Sequence, residues 1–402
     1  MPRVNPLILR WARETAGLSP DEAAKKVDLL ATRQASAADR IVELEEGRVE
    51  PSRPLLTRMA KQYRRPLLAF YLPEPPRRGN RGQDFRTLPD DFDEADESLL
   101  DALLRDILAR QSLVRDALED EDEPRTLGFV GSMRMDAGVD AAVRQLSEAL
   151  GSPIAAFRRA ADPESAFSFL RGQVESLGVY VVLLGNLGSH HSALTLETFR
   201  GLAIADPIAP FVVINDQDSR AAWSFSLIHE LTHLWLGESG ISGGSTAVRD
   251  VELFCNSVAS EFLLPSSEIV DLYRRSAPSA DELGDWINDL SGRVQASRTM
   301  IAFRLFTLDV ITRAQWTSLA SYYREQWLAN RERRREQGRE SSGGPNYYVV
   351  RRQRLGNALL GTAYRLMSSG ILTTAKTARV LGVKVTQVEP LLGGHLIRSR
   401  VG

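Results

Sequence analysis

The chain has 402 residues, a length that predicts two to four domains and not one compact core. Hydrophobic residues make up 43% and charged residues 25% of the chain, as in ordinary globular proteins. No run of about 18 apolar residues predicts a membrane span, and charge interrupts the N-terminal segment too early for a signal peptide. The single cysteine, Cys255, excludes an internal disulfide framework and favours a reducing cytoplasm.

The formal net charge of −2 gives the whole chain no general attraction to nucleic acid. Residues 1–82 nevertheless hold sixteen Lys and Arg against ten Asp and Glu, a local basic excess. Any contact with nucleic acid is therefore expected in this N-terminal part.

The first 75 residues are predicted to form a bundle of short helices. Gly17 ends one helix, and Ser19, Pro20 and Glu22 have the N-cap, N1 and N3 positions of the next. Apolar residues have helical spacing in 5–15, 19–27, 37–46, 54–63 and 66–71. The prolines and glycines of 73–82 then predict a linker.

The rest of the chain predicts an α+β fold that is predominantly helical. An acidic amphipathic helix is expected over 94–119. Later helices are expected over 138–151, 162–177 and 219–236 and through most of the chain after Val251. Apolar runs predict buried strands at 179–184, 199–205 and 210–215.

The segment Phe225–Gly237 contains the motif H-E-x-x-H inside a helical pattern. His229 and His233 are one helical turn apart, so both imidazoles emerge on the same face and can share a metal ion. Glu230 lies beside them, where a carboxylate can accept a proton from water activated by the metal. The motif predicts a zinc-metallopeptidase site.

A catalytic zinc requires a third protein ligand, and the chain offers few candidates. No histidine follows His233 at the spacing of the extended motif H-E-x-x-H-x-x-G-x-x-H. A glutamate on a second helix is the alternative, and Glu252 opens such a helix. Cys255 and Ala259 share its face and are small enough to let the two helices lie close together.

Other polar residues near the motif have less specific interpretations. Asn256 and Glu261 are expected to pack helices or to orient a metal ligand. Cys255 is expected to be a small buried residue. His190 and His191 are expected in a solvated loop, and neither they nor His395 is chosen as a ligand.

The segment Phe225-Ser-Leu-Ile-His-Glu-Leu-Thr-His233 together with Glu252-x-x-Cys-Asn-x-x-Ala-x-Glu-Phe-Leu-Leu-Pro265 resembles the ImmA/IrrE metallopeptidases. Similarity extends from about 165 to 315. The resemblance implies a gluzincin-like core with one Zn²⁺ per chain. It also implies His229, His233 and Glu252 as ligands and Glu230 as the general base. Members of this family typically cleave a repressor protein in stress-response, mobile-element or toxin–antitoxin control.

The N-terminal residues resemble a helix-turn-helix domain of the XRE type, which is often fused to such peptidases. In that type the third helix enters the DNA major groove with polar side chains at its start. Here the corresponding stretch is rich in alanine and acidic residues. Four side chains remain candidates for DNA contacts, namely Arg33, Gln34, Ser36 and Arg40. DNA and a protein partner both remain open for this domain.

The sequence therefore predicts four parts. They are an XRE-like domain (1–75), a linker with an acidic helical region (76–160), a metallopeptidase domain (161–315) and a C-terminal helical module (316–402). The C-terminal module is expected either to pack against the rest of the chain or to form a dimer. The oligomeric state is therefore not predicted. The predicted function is that of a cytoplasmic zinc metallo-endopeptidase that cleaves a helix-turn-helix repressor or antitoxin. The alternative is a non-cleaving helix-turn-helix regulator or antitoxin with a structural metal site.

Overall fold

The structure is a computed structural model in which the predicted class, α+β and predominantly helical, is confirmed. It describes residues 3–75, 94–121, 125–187, 192–196, 198–242, 249–276, 278–279, 281–340 and 346–399. The chain divides into two compact units. The first comprises Met1–Asp106 with Asn186–Leu194, and the second comprises Ile107–Gly185 with Thr195–Gly402.

The N-terminal unit begins with a bundle of short helices, as predicted. They are α1 (Pro6–Glu14), α2 (Pro20–Lys26), α3 (Ala37–Glu45) and α4 (Arg53–Gln62), followed by a 3-10 helix (Leu67–Tyr71). The Ser19 hydroxyl accepts from the Glu22 backbone N–H, and the Glu22 carboxylate accepts from the Ser19 backbone N–H. This reciprocal pair confirms the predicted start of α2.

A buried ion pair links the first and third helices of this bundle. The Arg13 guanidinium donates to both carboxylate oxygens of Glu45, at 2.6 and 2.9 Å. The hydrogen bond to Glu45 raises the pKa of Arg13, although burial opposes the shift. Ile8, Met59 and Phe70 fill the apolar core around this pair.

The described residues after this bundle form helices and four short strands. The helices before the C-terminal module are α5 (Glu94–Glu119), α6 (Val139–Ala149), α7 (Ile154–Arg158), α8 (Pro163–Ser176), α9 (Arg220–Leu236), α10 (Arg249–Leu263), α11 (Ser266–Ser276), α12 (Leu283–Val294), α13 (Arg298–Thr307) and α14 (Arg313–Glu340). The strands are β1 (Tyr180–Leu183), β2 (Gly201–Ile204), β3 (Phe211–Ile214) and β4 (Gly240–Ser242). The first three strands are shorter than their predicted segments, and no strand was predicted at the position of β4. No helix within the described ranges is long and apolar enough to cross a membrane.

The sheet has the strand order β1-β3-β2-β4. Strands β1 and β3 are parallel, whereas β2 is antiparallel to both β3 and β4. One face, which includes Val181, Ala203 and Val212, joins the core formed with Leu227 and Leu231 of α9. The sheet thus supports the helix that carries the H-E-x-x-H motif.

The last helices form a module that packs against the β1 edge of the sheet. They are α15 (Tyr347–Leu355), α16 (Asn357–Ser368), α17 (Thr374–Leu381) and α18 (Val388–Ser399), and both α15 and α16 contact β1. The Arg171 guanidinium of α8 donates to the Gln353 and Arg354 carbonyls. The Glu175 carboxylate accepts from the backbone N–H of Asn357 at 3.1 Å. These bonds make the module part of the second unit.

Candidate metal centre

Helix α9 holds the H-E-x-x-H motif in a nearly solvent-free position. Twelve of its seventeen residues are buried, including His229 and His233, each 4% exposed, and Glu230, 1% exposed. The helix ends at Gly237, whose φ of 76° is left-handed and closes the last turn at no steric cost. Both motif histidines therefore project from a helix that the core holds rigidly.

Helix α10 lies alongside α9 and brings the third candidate ligand. Cys255 and Ala259 are fully buried on α10, as the sequence predicted for small residues between two closely packed helices. Glu252 lies in the first turn of α10 and its side chain is 30% exposed. The packing of α10 on α9 thereby places a carboxylate opposite the two imidazoles.

Three ligand atoms converge at this point. The His229 Nε2 atom is 3.2 Å from the His233 Nε2 atom and 3.3 Å from Glu252 Oε2. The His233 Nε2 atom is 3.2 Å from Glu252 Oε1. Among the described residues this is the one group of three His, Cys, Asp or Glu side chains that could hold a metal ion.

The geometry of the group fits zinc. Ligand atoms at about 2.1 Å from a tetrahedral zinc ion lie about 3.4 Å from each other, which is close to the separations between the two Nε2 atoms and the carboxylate. Two imidazoles and one carboxylate are also the ligand set of one class of catalytic zinc site, in which the fourth position stays open. His229, His233 and Glu252 are therefore the residues that would hold the ion.

Without a metal, Glu252 and His233 stabilise each other as charged groups. Burial opposes ionisation of Glu252, but hydrogen bonds with His229 and His233 outweigh it and lower its pKa to about 2. Burial also opposes protonation of His233, yet its hydrogen bonds with Cys255 and Glu252 raise its pKa well above the usual 6.5. The metal-free site thus holds a proton that a cation must displace.

Glu230 lies between the two candidate ligands in sequence and packs towards the sheet. Its side chain approaches Gly201, the first residue of β2, so closely that no Cβ would fit there. The sequence analysis did not identify Gly201 as a site residue. The sequence showed only a glycine at the start of a predicted strand. Such a glycine often marks a place where another group approaches the backbone closely.

The remaining predicted residues of the site are Asn256 and Glu261. Asn256 is half-buried on α10, and within the described ranges no hydrogen bond joins it to the three ligands. Glu261 is about 13 Å farther along α10 than Glu252, given the helical rise. Its carboxylate accepts from the Ser266 backbone N–H at 3.0 Å and from the Arg304 guanidinium. Glu261 therefore joins α10 to α11 and α13 and does not orient a metal ligand.

The side chains of the other three histidines lie outside the described part of the structure. His190 and His191 lie outside the described residues. His395 belongs to α18, but its side chain is not described.

The four candidate DNA contacts lie around the turn between α2 and α3. Arg33 and Gln34 are exposed. Ser36 caps α3 by a reciprocal pair with Asp39, and the Arg40 guanidinium donates to the Leu30 carbonyl at 2.6 Å. Two of the four side chains thus have partners within the bundle.

The small sheet, the H-E-x-x-H helix and the glutamate of the next helix together define a metallopeptidase-like domain. Residues 174–306, about a third of the chain, match the family model Peptidase M78, described as the IrrE N-terminal-like domain. The matched segment contains all three candidate ligands and Glu230. The comparison with curated proteins returned no match.

Proposed function

We propose that this chain is a zinc-dependent endopeptidase with His229, His233 and Glu252 as ligands and Glu230 as general base. The observation that carries the proposal is the convergence of the two Nε2 atoms and the Glu252 carboxylate at 3.2–3.3 Å. The match of this segment to a metallopeptidase family supports it. A structural zinc site would close all four positions with protein ligands, whereas this group supplies three.

Bound zinc would polarise the scissile carbonyl and make the attacking water more acidic. Glu230 removes a proton from that water and later delivers it to the leaving amine. Burial keeps the carboxylate in a site of low dielectric, where its interaction with a nearby positive charge is stronger than in water. His229 and His233 would hold the cation from one turn of α9, the same helix that carries Glu230.

An extended substrate is expected to pair with the sheet by strand addition. Strand β3 lies between β1 and β2, and β2 lies between β3 and β4. The C-terminal module packs against β1. Strand β4 is the outer strand on the other side of the described sheet, and we propose it as the strand that binds substrate.

The proposed substrate is a protein, a helix-turn-helix repressor or an antitoxin, whose cleavage changes transcription in the cytoplasm. This substrate class follows from the resemblance to the ImmA/IrrE metallopeptidases and to XRE-type domains. In this proposal the N-terminal bundle (residues 1–75) binds DNA or the substrate protein. Membrane contact is not part of the proposal.

A substrate-independent assay tests the activity. The zinc-loaded chain is incubated with a peptide library derived from a bacterial proteome, and new N-termini are identified by mass spectrometry. We expect new termini with the wild type and none with Glu230→Gln, which keeps the three ligands and one zinc per chain. Cleavage by Glu230→Gln at the wild-type rate would overturn the assignment of the base.

The competing candidate is a non-cleaving regulator in which the metal only stabilises the fold. It predicts one bound zinc, no new termini in the library and tight sequence-dependent binding to promoter DNA. Two of the four candidate DNA contacts already have partners within the bundle, which favours the peptidase.

A further inference from the structure

Gly201 faces the general base from the sheet. In β2 it is two residues from Ala203, which joins the core against α9, so both positions face α9. A Cβ at position 201 would lie 2.8 Å from Cδ and 2.9 Å from Cγ of Glu230, and closer still to Oε1. Contacts this short between non-bonded carbon atoms are strongly repulsive. The absence of a side chain at 201 is therefore a condition for the present position of the Glu230 carboxylate.

The backbone at position 201 is not free to retreat from the helix. Gly201 pairs with Ile214 of β3 on one side and with Ser242 of β4 on the other. Movement of β2 would disturb both ladders. An added methyl group would therefore displace Glu230, which is the end of a side chain, more readily than the strand.

Glu230 has little room on its other sides. Its side chain is 1% exposed, and α9 is packed between the sheet and α10. A displaced carboxylate must adopt another rotamer in this dense core, and its proton-accepting oxygens then leave their present position beside Gly201. General-base catalysis requires hydrogen-bonding distance between the base and the water.

We propose that Gly201 is a positioning residue. Because it has no side chain, the Glu230 carboxylate can pack directly against its backbone and is held there. This role in catalysis rests on the proposed function, because it requires that Glu230 is the general base of the site. Gly201 touches neither the ligands nor the substrate in this role. It acts through Glu230 alone.

The first experiment compares Gly201→Ala with the wild type on the library peptide that the wild type cuts fastest. Zinc content should stay at one per chain, since His229, His233 and Glu252 are unchanged. We expect kcat to fall at least about 100-fold, the lower end of what a general base contributes, and KM to change less than about threefold. A kcat within about threefold of wild type would overturn the proposal.

The second experiment needs no substrate. Gly201→Ala is introduced both into the wild type and into Glu230→Ala, in which the conflicting atoms are gone, and thermal unfolding of the zinc-loaded proteins is followed. We expect a lower melting temperature in the wild-type background and no loss in the Glu230→Ala background, where alanine can even stabilise the strand relative to glycine. Equal losses in both backgrounds would mean that Gly201 serves helix–sheet packing in general, and the proposal would fail.

Gly292→Ala is the matched control. Gly292 lies within α12, and a Cβ there would meet no atom within 4 Å. It should keep zinc content and kcat near the wild-type values, and its melting temperature should not fall, because alanine is favoured over glycine within a helix. If the wild type itself cuts no peptide, the proposed function fails, and the thermal cycle still decides whether Gly201 and Glu230 are coupled.

Discussion

Arg354 of α15 forms an ion pair with Asp216, which lies in the loop that joins β3 to α9. The Arg354 Nη2 atom is 2.6 Å from Asp216 Oδ2. The C-terminal module is thereby tied to the segment that leads into the metal-binding helix. Gly356, two residues later, lies so close to Arg171, Glu175 and the Val181 carbonyl that no Cβ would fit. The matched peptidase segment ends at residue 306, yet the β1 edge of its sheet is covered by residues 40 or more positions later in the chain.

Replacing Arg354 with alanine is expected to lower the free energy of unfolding by about 1–3 kcal/mol. The Asp216 side chain is 7% exposed, and without this cation it would keep a buried charge. Urea denaturation of the zinc-loaded chain measures the loss. Arg313→Ala, at an exposed position that begins α14, is the control and should change stability by less than about 0.5 kcal/mol. Equal losses in the two variants would contradict a specific role for the ion pair.

Zinc content is expected to depend on His233. After loading and removal of excess metal, the wild type should retain about one zinc per chain, and His233→Ala should retain none because two protein ligands remain. His395→Ala changes a histidine of α18 and should retain the wild-type amount. Elemental analysis of the three proteins provides the measurement. No retained zinc in the wild type would mean that the ligands do not bind the metal, and the peptidase proposal would be withdrawn.

Zinc binding is expected to release protons near neutral pH. The raised pKa of His233 means that the metal-free chain holds a proton there, whereas Glu252, with its pKa near 2, is already ionised. The affinity for zinc should therefore fall as pH is lowered. Titration calorimetry in PIPES and in ACES, two weakly zinc-binding buffers with different ionisation enthalpies, detects the released protons as a difference in apparent enthalpy. Identical enthalpies in both buffers at pH 7 would contradict this prediction.

The stability of the metal-free chain should have the opposite dependence on pH. The folded pKa of His233 lies above its unfolded value. Its contribution to stability is therefore fully present below about pH 6.5 and is lost as pH rises through the folded pKa. Thermal unfolding with a chelator between pH 6 and 9 tests the sign. A His233→Ala protein should lack this component.

The N-terminal bundle is expected to bind DNA weakly and without strong sequence preference. Arg40 donates to the Leu30 carbonyl, and the Arg48 guanidinium is paired with Glu46 beside α3. Asp39 also places a carboxylate at the start of α3, where a phosphate or base edge would approach. Fluorescence anisotropy with promoter and unrelated duplexes is the measurement. A preference of about 1,000-fold or more, typical of specific binders, would show that the bundle reads DNA.

Much of the fold and of the candidate site could be predicted because the signals are local. Four residues make one helical turn, so the spacing of His229 and His233 already places both imidazoles on one face. The capping pair of Ser19 and Glu22 likewise marks the start of α2 from sequence. The apolar runs predicted three of the four strands, since buried strands need only a short stretch of branched side chains.

The rest was decided by contacts between segments far apart in the chain. Glu252 was a candidate from its position on a helix, but its distances to the two imidazoles depend on how α10 packs against α9. The strand order, the edge strand β4 and the C-terminal module over β1 follow from pairings that no local pattern encodes. Gly201 and Glu230 are separated by 29 positions and meet only when α9 lies on the sheet. The sequence determined which side chains carry the chemistry, and tertiary packing determined where their atoms stand, because reactivity depends on distances between elements that sequence spacing does not fix.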